Sequence, residues 1–271
     1  MKTPIFALLL WTAPCFTACL TEMLPGDETC FDYVEVAPRE PGRVQYTVPV
    51  VDFDTQLTAP IPVPGAVLTV CTNSTCEPAL PACATEVNNG CYREFPGPNP
   101  AIRVLDFPYG LTNVTLRWTA PGYIPTDYPM GGPLVGSPDG ELAMRGVGIV
   151  LVKESTYAAL HGQVGGVPDP ARGTLAVRVL DCGLGRAPGN TVEPYNANLA
   201  GSTAFSLSSN NLASGSDLTT DARGVVGFFN LPPQTIDVHV ADWGFQPTTF
   251  NVRPGTLTLG ELRWGLERFG Q

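Results

Sequence analysis

The strongest constraint on the fold is a segment that occurs twice, 122 residues apart. FPYGLTNVTLRWTAPGYIPT begins at Phe107 and FNLPPQTIDVHVADWGFQPT begins at Phe229, with Phe, Gly, Pro and Thr coinciding. In both copies apolar residues alternate with polar ones, which indicates a half-buried β-strand. The alternating apolar residues are Val114, Leu116 and Trp118 in the first copy and Ile236, Val238 and Val240 in the second. The repeat therefore predicts two similar β modules.

Glycine and proline divide the rest of the chain into short strand-like runs. The 271 residues include 29 Gly and 28 Pro, yet 44% of the chain is hydrophobic and only 15% is charged. Disordered chains combine low hydrophobicity with high charge, so this composition indicates a folded protein with many turns. Runs rich in Val, Thr, Leu and aromatic residues, without long helical patterns, predict an all-β chain.

The order of these runs predicts two modules on an N-terminal tether. Residues 45–155 form the first module, 173–264 the second and 265–271 a tail. Residues 156–172 are interpreted as a linker, where ESTYAALHGQV could form one or two helical turns. Residues 19–44 are acidic and contain several prolines, which suits a tether.

The first 18 residues are typical of a secretory signal, because a short apolar run follows Lys2 and is too short to cross a bilayer. FTAC at 16–19 resembles the lipobox of bacterial lipoproteins, in which cleavage precedes a cysteine that carries diacylglycerol; Phe16 stands where Leu is usual. The resemblance implies that Cys19 is lipidated and anchors an exported protein to a membrane. Leu20 then implies sorting to the outer membrane or cell surface. The alternative is an ordinary signal peptide with an unmodified Cys19.

Six further cysteines favour a disulfide framework, since an even number in an exported chain is typical of disulfides. They are Cys30, Cys71, Cys76, Cys83, Cys91 and Cys182. The spacings of five, seven and eight residues within 71–91 do not form the paired CxxC of structural zinc sites. Fifteen connectivities remain open, and a Cys30–Cys182 pair is one hypothesis.

TTDARGVVGFFNLPPQTIDVHVADWGFQP, residues 219–247, resembles the carboxypeptidase regulatory-like, or transthyretin-like (prealbumin-like), module. Thr220, Asp221 and Gly224 match its hairpin motif, whereas Gln234 replaces the usual Gly. The resemblance covers residues 173–262 well and 45–152 more weakly. It implies two β-sandwiches in tandem, without catalytic residues, that serve as spacers, folding partners of enzymes or surface binding modules.

The hairpin residues also have a physical interpretation of their own. Asp221 can accept a hydrogen bond from the backbone two residues on, and Gly224 permits the positive φ that closes the turn. Phe228, Phe229 and Leu231 are then expected to pack against the facing sheet.

The sequence contains no local signature of catalysis or of a cofactor. Neither His161 nor His239 lies in an HExxH motif, and GxSxG, GxxxxGK[ST] and a helix-opening GxGxxG are missing. The formal net charge of −10 argues against nucleic acid as a partner, because its affinity depends on Lys and Arg. No enzyme activity, catalytic residue or cofactor is predicted.

Two pairs of acidic residues are candidates for calcium binding, which uses carboxylate oxygens. They are Asp52 with Asp54, and Asp217 with Asp221. A strand end for the first pair and a turn for the second are the favoured interpretations, so no metal site is predicted.

Trp243, beside Gly244 at the end of a strand-like run, is the candidate ligand contact, since tryptophan stacks on sugars and anchors protein interfaces. Together these features predict a non-enzymatic, lipid-anchored surface scaffold or binding module for protein or polysaccharide. The alternative function is that of an accessory-domain protein of a secreted or cell-surface peptidase or other hydrolase.

Overall fold

The computed structural model describes residues 43–56, 61–83, 90–97, 100–108, 110–130, 141–143, 149–181, 186–210, 212–215, 217–241 and 247–263. These residues form sixteen β-strands and one α-helix, which confirms the predicted all-β class. The predictions for Cys19, Cys30, Cys182 and Trp243 lie outside the described residues.

Eight strands and the helix come from residues 43–163. They are β1 (Arg43–Asp52), β2 (Val67–Cys71), β3 (Arg93–Pro96), β4 (Ile102–Pro108), β5 (Thr115–Thr119), β6 (Thr126–Pro129), β7 (Glu141–Ala143), β8 (Ile149–Leu151) and α1 (Glu154–Gln163). Eight further strands come from residues 173–263. They are β9 (Gly173–Leu180), β10 (Val192–Tyr195), β11 (Thr203–Leu207), β12 (Ala213–Gly215), β13 (Val225–Leu231), β14 (Gln234–Val240), β15 (Thr248–Val252) and β16 (Leu257–Arg263).

The two halves of the chain repeat one strand order. In the first half, β3-β4-β1 are neighbours, with β7 and β8 parallel to β1, and β2-β5-β6 form the other layer. In the second half, β11-β13-β9 are neighbours, with β16 parallel to β9, and β10-β14-β15 form the other layer. Apolar side chains of both layers of each half form a common core, because each strand turns one face inward.

The alternation in the repeated segment is confirmed, since all six of its apolar positions are buried. They are Val114, Leu116, Trp118, Ile236, Val238 and Val240. Trp118 is 0% exposed and lies in the core of the first half, which gives it a packing role.

The halves also share a sheet. Strand β6 of the first half pairs in parallel with β16 of the second, so that β2-β5-β6 and β16-β9-β13-β11-β12 form one eight-stranded sheet. Asp127 of β6 lies 2.9 Å from Arg117 Nε and 3.6 Å from Arg253 Nε, which links β6 to the turn before β16. Whether residues 156–172 divide two modules stays a prediction.

Helix α1 occupies the first eight residues of the predicted linker and packs onto the outer face of the second half. Its buried residues are Tyr157, Leu160 and His161, and they lie in or beside a third apolar cluster that includes Ala176, Phe205, Phe229 and Leu257. No helix within the described part of the chain is both long and apolar enough to cross a membrane.

Phe229 departs from its predicted position. Phe228 and Leu231 join the core between the layers, whereas Phe229 packs on the opposite face with His161 and Phe205. The strand register shifts between Phe228 and Leu231, where Asn230 has a φ of 54°. Because of this bulge, Phe228 and Leu231 lie on the same face although they are three residues apart, and Phe229 lies on the face that packs against the helix.

Candidate functional site

A groove lies between the exposed edges of the two layers of the first half. It has a volume of about 390 Å³ and is called the edge groove below. Its lining residues are Ala66, Val67, Leu68, Tyr92, Glu94, Phe95, Pro96 and Arg103. Strand β2 and the segment just before it form one wall, and β3 with Arg103 of β4 forms the other.

Both walls are edge strands. Among the described strands, β2 pairs with β5 alone and β3 pairs with β4 alone, and each ends the strand order of its sheet. The outward side of an edge strand presents backbone N–H and C=O groups that have no ladder partner, which makes it a template for a further strand. On β2, however, Leu68 O accepts from the Tyr92 hydroxyl and Val70 O accepts from Leu80 N, so the open backbone edge of the groove is that of β3.

Two disulfides stabilise the loop between these edge strands. Cys71 is bonded to Cys76, and Cys83 to Cys91. The disulfides predicted for this cluster are therefore confirmed, with the first cysteine joined to the second and the third to the fourth. Because Cys71 ends β2 and Cys91 lies two residues before β3, the crosslinks hold the loop at the ends of both walls.

The loop covers one end of the same two edges. Leu80 N donates to Val70 O at 2.8 Å, and Cys83 N donates to Tyr92 O at 2.8 Å. Tyr92 N in turn donates to Pro81 O at 3.0 Å. The loop thus occupies the part of the gap near Val70 and Tyr92, and the edge groove is the part that stays open.

Apolar and charged side chains alternate around the open part. Val67 is 59% exposed and Phe95 is 39% exposed, which is unusual for residues of this size. The guanidinium of Arg93 lies 5.4 Å from the centre of the Phe95 ring, a cation–π distance. Arg103 Nε lies 3.6 Å from Glu94 Oε1. The walls therefore offer two apolar contacts and charges of both signs.

The groove floor is fixed by buried polar contacts. The Tyr92 hydroxyl donates to Leu68 O at 3.3 Å and so connects the two layers, and burial, followed by the charge of Glu94, raises the pKa of Tyr92. Arg93 pairs with Asp106, whose side chain is 1% exposed and also accepts from Arg43 Nε at 2.9 Å. These contacts hold β3 on the core, so the walls keep their separation.

The polar side chains that line the groove are those of Tyr92, Glu94 and Arg103. Its lining offers no cysteine, serine or histidine that could act as a nucleophile or base. In the part of the chain that the structure describes, no three His, Cys, Asp or Glu side chains are grouped as a metal site. Unpaired edges with exposed apolar side chains are instead the features that bind an extended peptide by strand addition.

Asp52 and Asp54 hold the first half to helix α1. Lys153 Nζ lies 2.7 Å from Asp52 Oδ2 and 3.0 Å from Asp54 Oδ2, the Tyr123 hydroxyl donates to Asp52 at 2.8 Å, and the Thr156 hydroxyl donates to Asp54 at 2.9 Å. Burial alone would raise the pKa of Asp52, but the hydrogen bonds from Lys153 and Tyr123 outweigh it and lower that pKa. Both carboxylates are therefore occupied by this network.

The second acidic pair shapes turns. Asp217 accepts from Thr219 N at 3.1 Å, and this backbone bond lowers the pKa of Asp217. Asp221 accepts from Arg223 N at 3.1 Å, and Gly224 has a φ of 64°. The hairpin geometry predicted from the sequence is present.

The edge groove was not found from the sequence. The cluster of four cysteines was recognised, but nothing in the local pattern shows that β2 and β3 would be edges on the same side. A usable signal is Pro96 at the end of β3, because proline within a sheet favours edge strands.

No protein-family model matches the chain. No curated protein matches it either. Among solved structures, it is similar to the Bacillus anthracis TIE protein at 11% identity, over 82% of this chain and 34% of that one, with a TM-score of 0.26. The chain thus spans about a third of that protein.

Two pilus proteins give comparable values. The minor pilin GBS52 of Streptococcus agalactiae is 12% identical over 81% of this chain and 94% of its own, with a TM-score of 0.25. The group B streptococcus pilus 2b backbone protein is 12% identical over 87% of this chain and 92% of its own, with a TM-score of 0.23. Values this low establish neither a family nor a function for the chain.

Proposed function

We propose that the protein is a non-enzymatic, lipid-anchored surface binding module whose edge groove binds an extended segment of another protein. The observation that carries this proposal is the open gap between two edge strands, in which Val67 and Phe95 are exposed. A peptide strand in the gap gains backbone hydrogen bonds along the β3 wall and places side chains against these two residues.

Protein is favoured over polysaccharide for a physical reason. The edge of β3 offers backbone groups at the spacing of a β-strand, and a peptide matches that spacing. Sugar recognition relies on aromatic faces, and in this groove the ring of Phe95 is already covered by the guanidinium of Arg93. The Trp243 contact stays a prediction.

The anchor belongs to the same proposal. The lipobox-like FTAC supports lipid on Cys19, with the outer membrane or cell surface as the location. The resemblance to transthyretin-like modules also stays a prediction; such modules are spacers and binding modules, which agrees with the proposed role.

The proposal is tested by selecting a displayed library of random peptides, about nine residues long, on the full mature chain; this length exceeds the five residues of β2. We expect selected peptides to lose at least about tenfold in affinity to Val67→Lys, since the loss of one apolar contact is worth about 1.5 kcal/mol or more. Val167→Lys is the matched control, because Val167 is 78% exposed and is not among the residues that line the groove. It should leave the affinity unchanged.

A backbone test separates strand addition from simple hydrophobic contact. N-methylation of alternate peptide residues should abolish binding in one frame only, because successive N–H groups of a strand point to opposite sides. Peptides that bind Val67→Lys as well as the native chain, or a failure to select any peptide, would contradict the proposal. A glycan array could also contradict the proposal. This would be the outcome if a polysaccharide bound the native chain, Val67→Lys weakened that binding, and no peptide bound.

A further inference from the structure

A small cavity lies between helix α1 and the outer face of the second half. Its volume is about 70 Å³. The apolar lining includes Leu160 of α1, Ala176 of β9, Phe205 of β11, Phe229 of β13 and Leu257 of β16. This space is called the helix cavity below, and it is separate from the edge groove.

The helix cavity has a cationic side. Arg178 and Arg223 both line it, and Arg223 is only 4% exposed. Among the described residues, Arg223 Nη1 is buried without a hydrogen-bond partner. Asp221, the acid nearest in sequence, binds the backbone N of Arg223 rather than its guanidinium. A fully buried guanidinium nitrogen therefore borders an apolar space with its hydrogens unused.

The charges around Arg223 do not neutralise it. Arg178 is paired with Glu261 at 4.0 Å, and Arg186 is exposed. Burial, and then the positive charges of Arg186 and Arg178, lower the pKa of Arg223 to about 10, while Asp221 opposes them. Arg223 is thus protonated at neutral pH.

A buried charge without a counter-ion is unfavourable, and a carboxylate is the partner that a guanidinium binds best. The hydroxyls of Tyr157 and Thr174, which also line the cavity, bond each other at 2.6 Å, and besides Arg223 the remaining polar lining residues are Gln56 and Arg178. The volume admits a molecule of roughly five to seven non-hydrogen atoms, since about 10–15 Å³ of such space holds one group the size of a water molecule. A phosphate has no apolar part to place against Phe205 and Phe229.

We propose that the helix cavity binds a short aliphatic carboxylate, with its carboxylate on Arg223 and its chain among Phe205, Phe229 and Leu257. Butyrate is the probe. Acetate leaves the apolar space unfilled and octanoate exceeds it, so affinity rises from acetate to butyrate and falls again at octanoate.

The test is calorimetric titration of the full mature chain with acetate, butyrate, octanoate and uncharged butyramide. Butyrate binds, butyramide does not, and Arg223→Gln weakens butyrate at least about tenfold. Arg103→Gln is the matched control and leaves the affinity within about twofold, because Arg103 lines the edge groove and not the helix cavity and is not among the charges that shift the pKa of Arg223. Butyramide binding as tightly as butyrate overturns the proposal, as does binding that Arg223→Gln leaves unchanged.

A second variant keeps the test decisive should Arg223→Gln not fold. Ala176→Val fills part of the helix cavity from β9 without changing a charge, and it should abolish butyrate binding while the protein keeps its thermal unfolding temperature. Native chain that binds none of the acids, or Ala176→Val that binds butyrate normally, overturns the proposal.

Discussion

Replacing His161 with phenylalanine is expected to make the stability of the protein less sensitive to pH. The imidazole is 0% exposed and packs against Tyr157 and Phe229, with ring centres 4.6 and 4.0 Å away. Neither of its nitrogens has a hydrogen-bond partner within the described part of the chain. Phenylalanine keeps the ring contacts and removes the two unsatisfied nitrogens.

The magnitude follows from the pKa of His161. Burial lowers this pKa from 6.5 to about 4. The unfolded chain therefore takes up a proton at residue 161 below about pH 6.5, while the folded chain stays neutral until about pH 4. Stability from this residue is present above pH 6.5 and is lost as the pH falls towards 4. Between pH 7 and pH 5 the loss is about 2 kcal/mol.

Urea unfolding at pH 7, 6 and 5 measures the effect. At pH 7 His161→Phe should be more stable than the native chain by about 1 kcal/mol, because a buried unsatisfied donor is removed. The difference should grow by about 2 kcal/mol at pH 5. Tyr157→Phe is the control, since it changes the ring beside His161 but keeps the imidazole, and it should keep the native pH dependence. A difference between His161→Phe and the native chain that stays constant from pH 7 to pH 5 would refute the reasoning.

Two further predictions concern the cysteines. Replacing Cys71 and Cys76 together with serine should lower the free energy of unfolding by about 2 kcal/mol, because the crosslink closes a short loop. The same change should lower the affinity for the selected peptides, because it loosens the loop beside the edge groove. Chemical denaturation and peptide titration measure the two effects, and unchanged values in both contradict the prediction. Cys19→Ala should move the protein from the membrane to the soluble fraction, because each buried lipid CH₂ contributes about 0.8 kcal/mol; full retention on the membrane after fractionation contradicts the lipid anchor.

Local patterns were sufficient for part of the fold. The burial of Leu116 and Val238 follows from a period of two that a few neighbouring residues define. The turn at Asp221 and Gly224 follows from the chemistry of those two residues. The sequence prediction put Phe229 on the wrong face of its strand, because a bulge at Asn230 interrupts the alternation. A pattern with a period of two does not reveal where an extra residue is inserted.

Both sites depend on contacts between distant parts of the chain. The edge groove exists because β2 and β3 are the last strands of their sheets. The local sequence of a strand does not determine its place in the strand order. Arg223 reads as an ordinary turn residue in the sequence, since only the packing of α1 over the sheet shows that it is buried. Disulfide connectivity was open for the same reason, as it depends on distances that the spacing alone does not give.

The parallel pairing of β6 with β16 has a consequence for the order of synthesis. Leu257 and Thr258 lie beside Thr126 and Asp127, so the ribosome must add about 130 residues after β6 before its partner exists. During that interval the nascent first half presents β6 as an open edge to any other unfinished chain. Slowing elongation between these strands should therefore reduce the yield of folded protein.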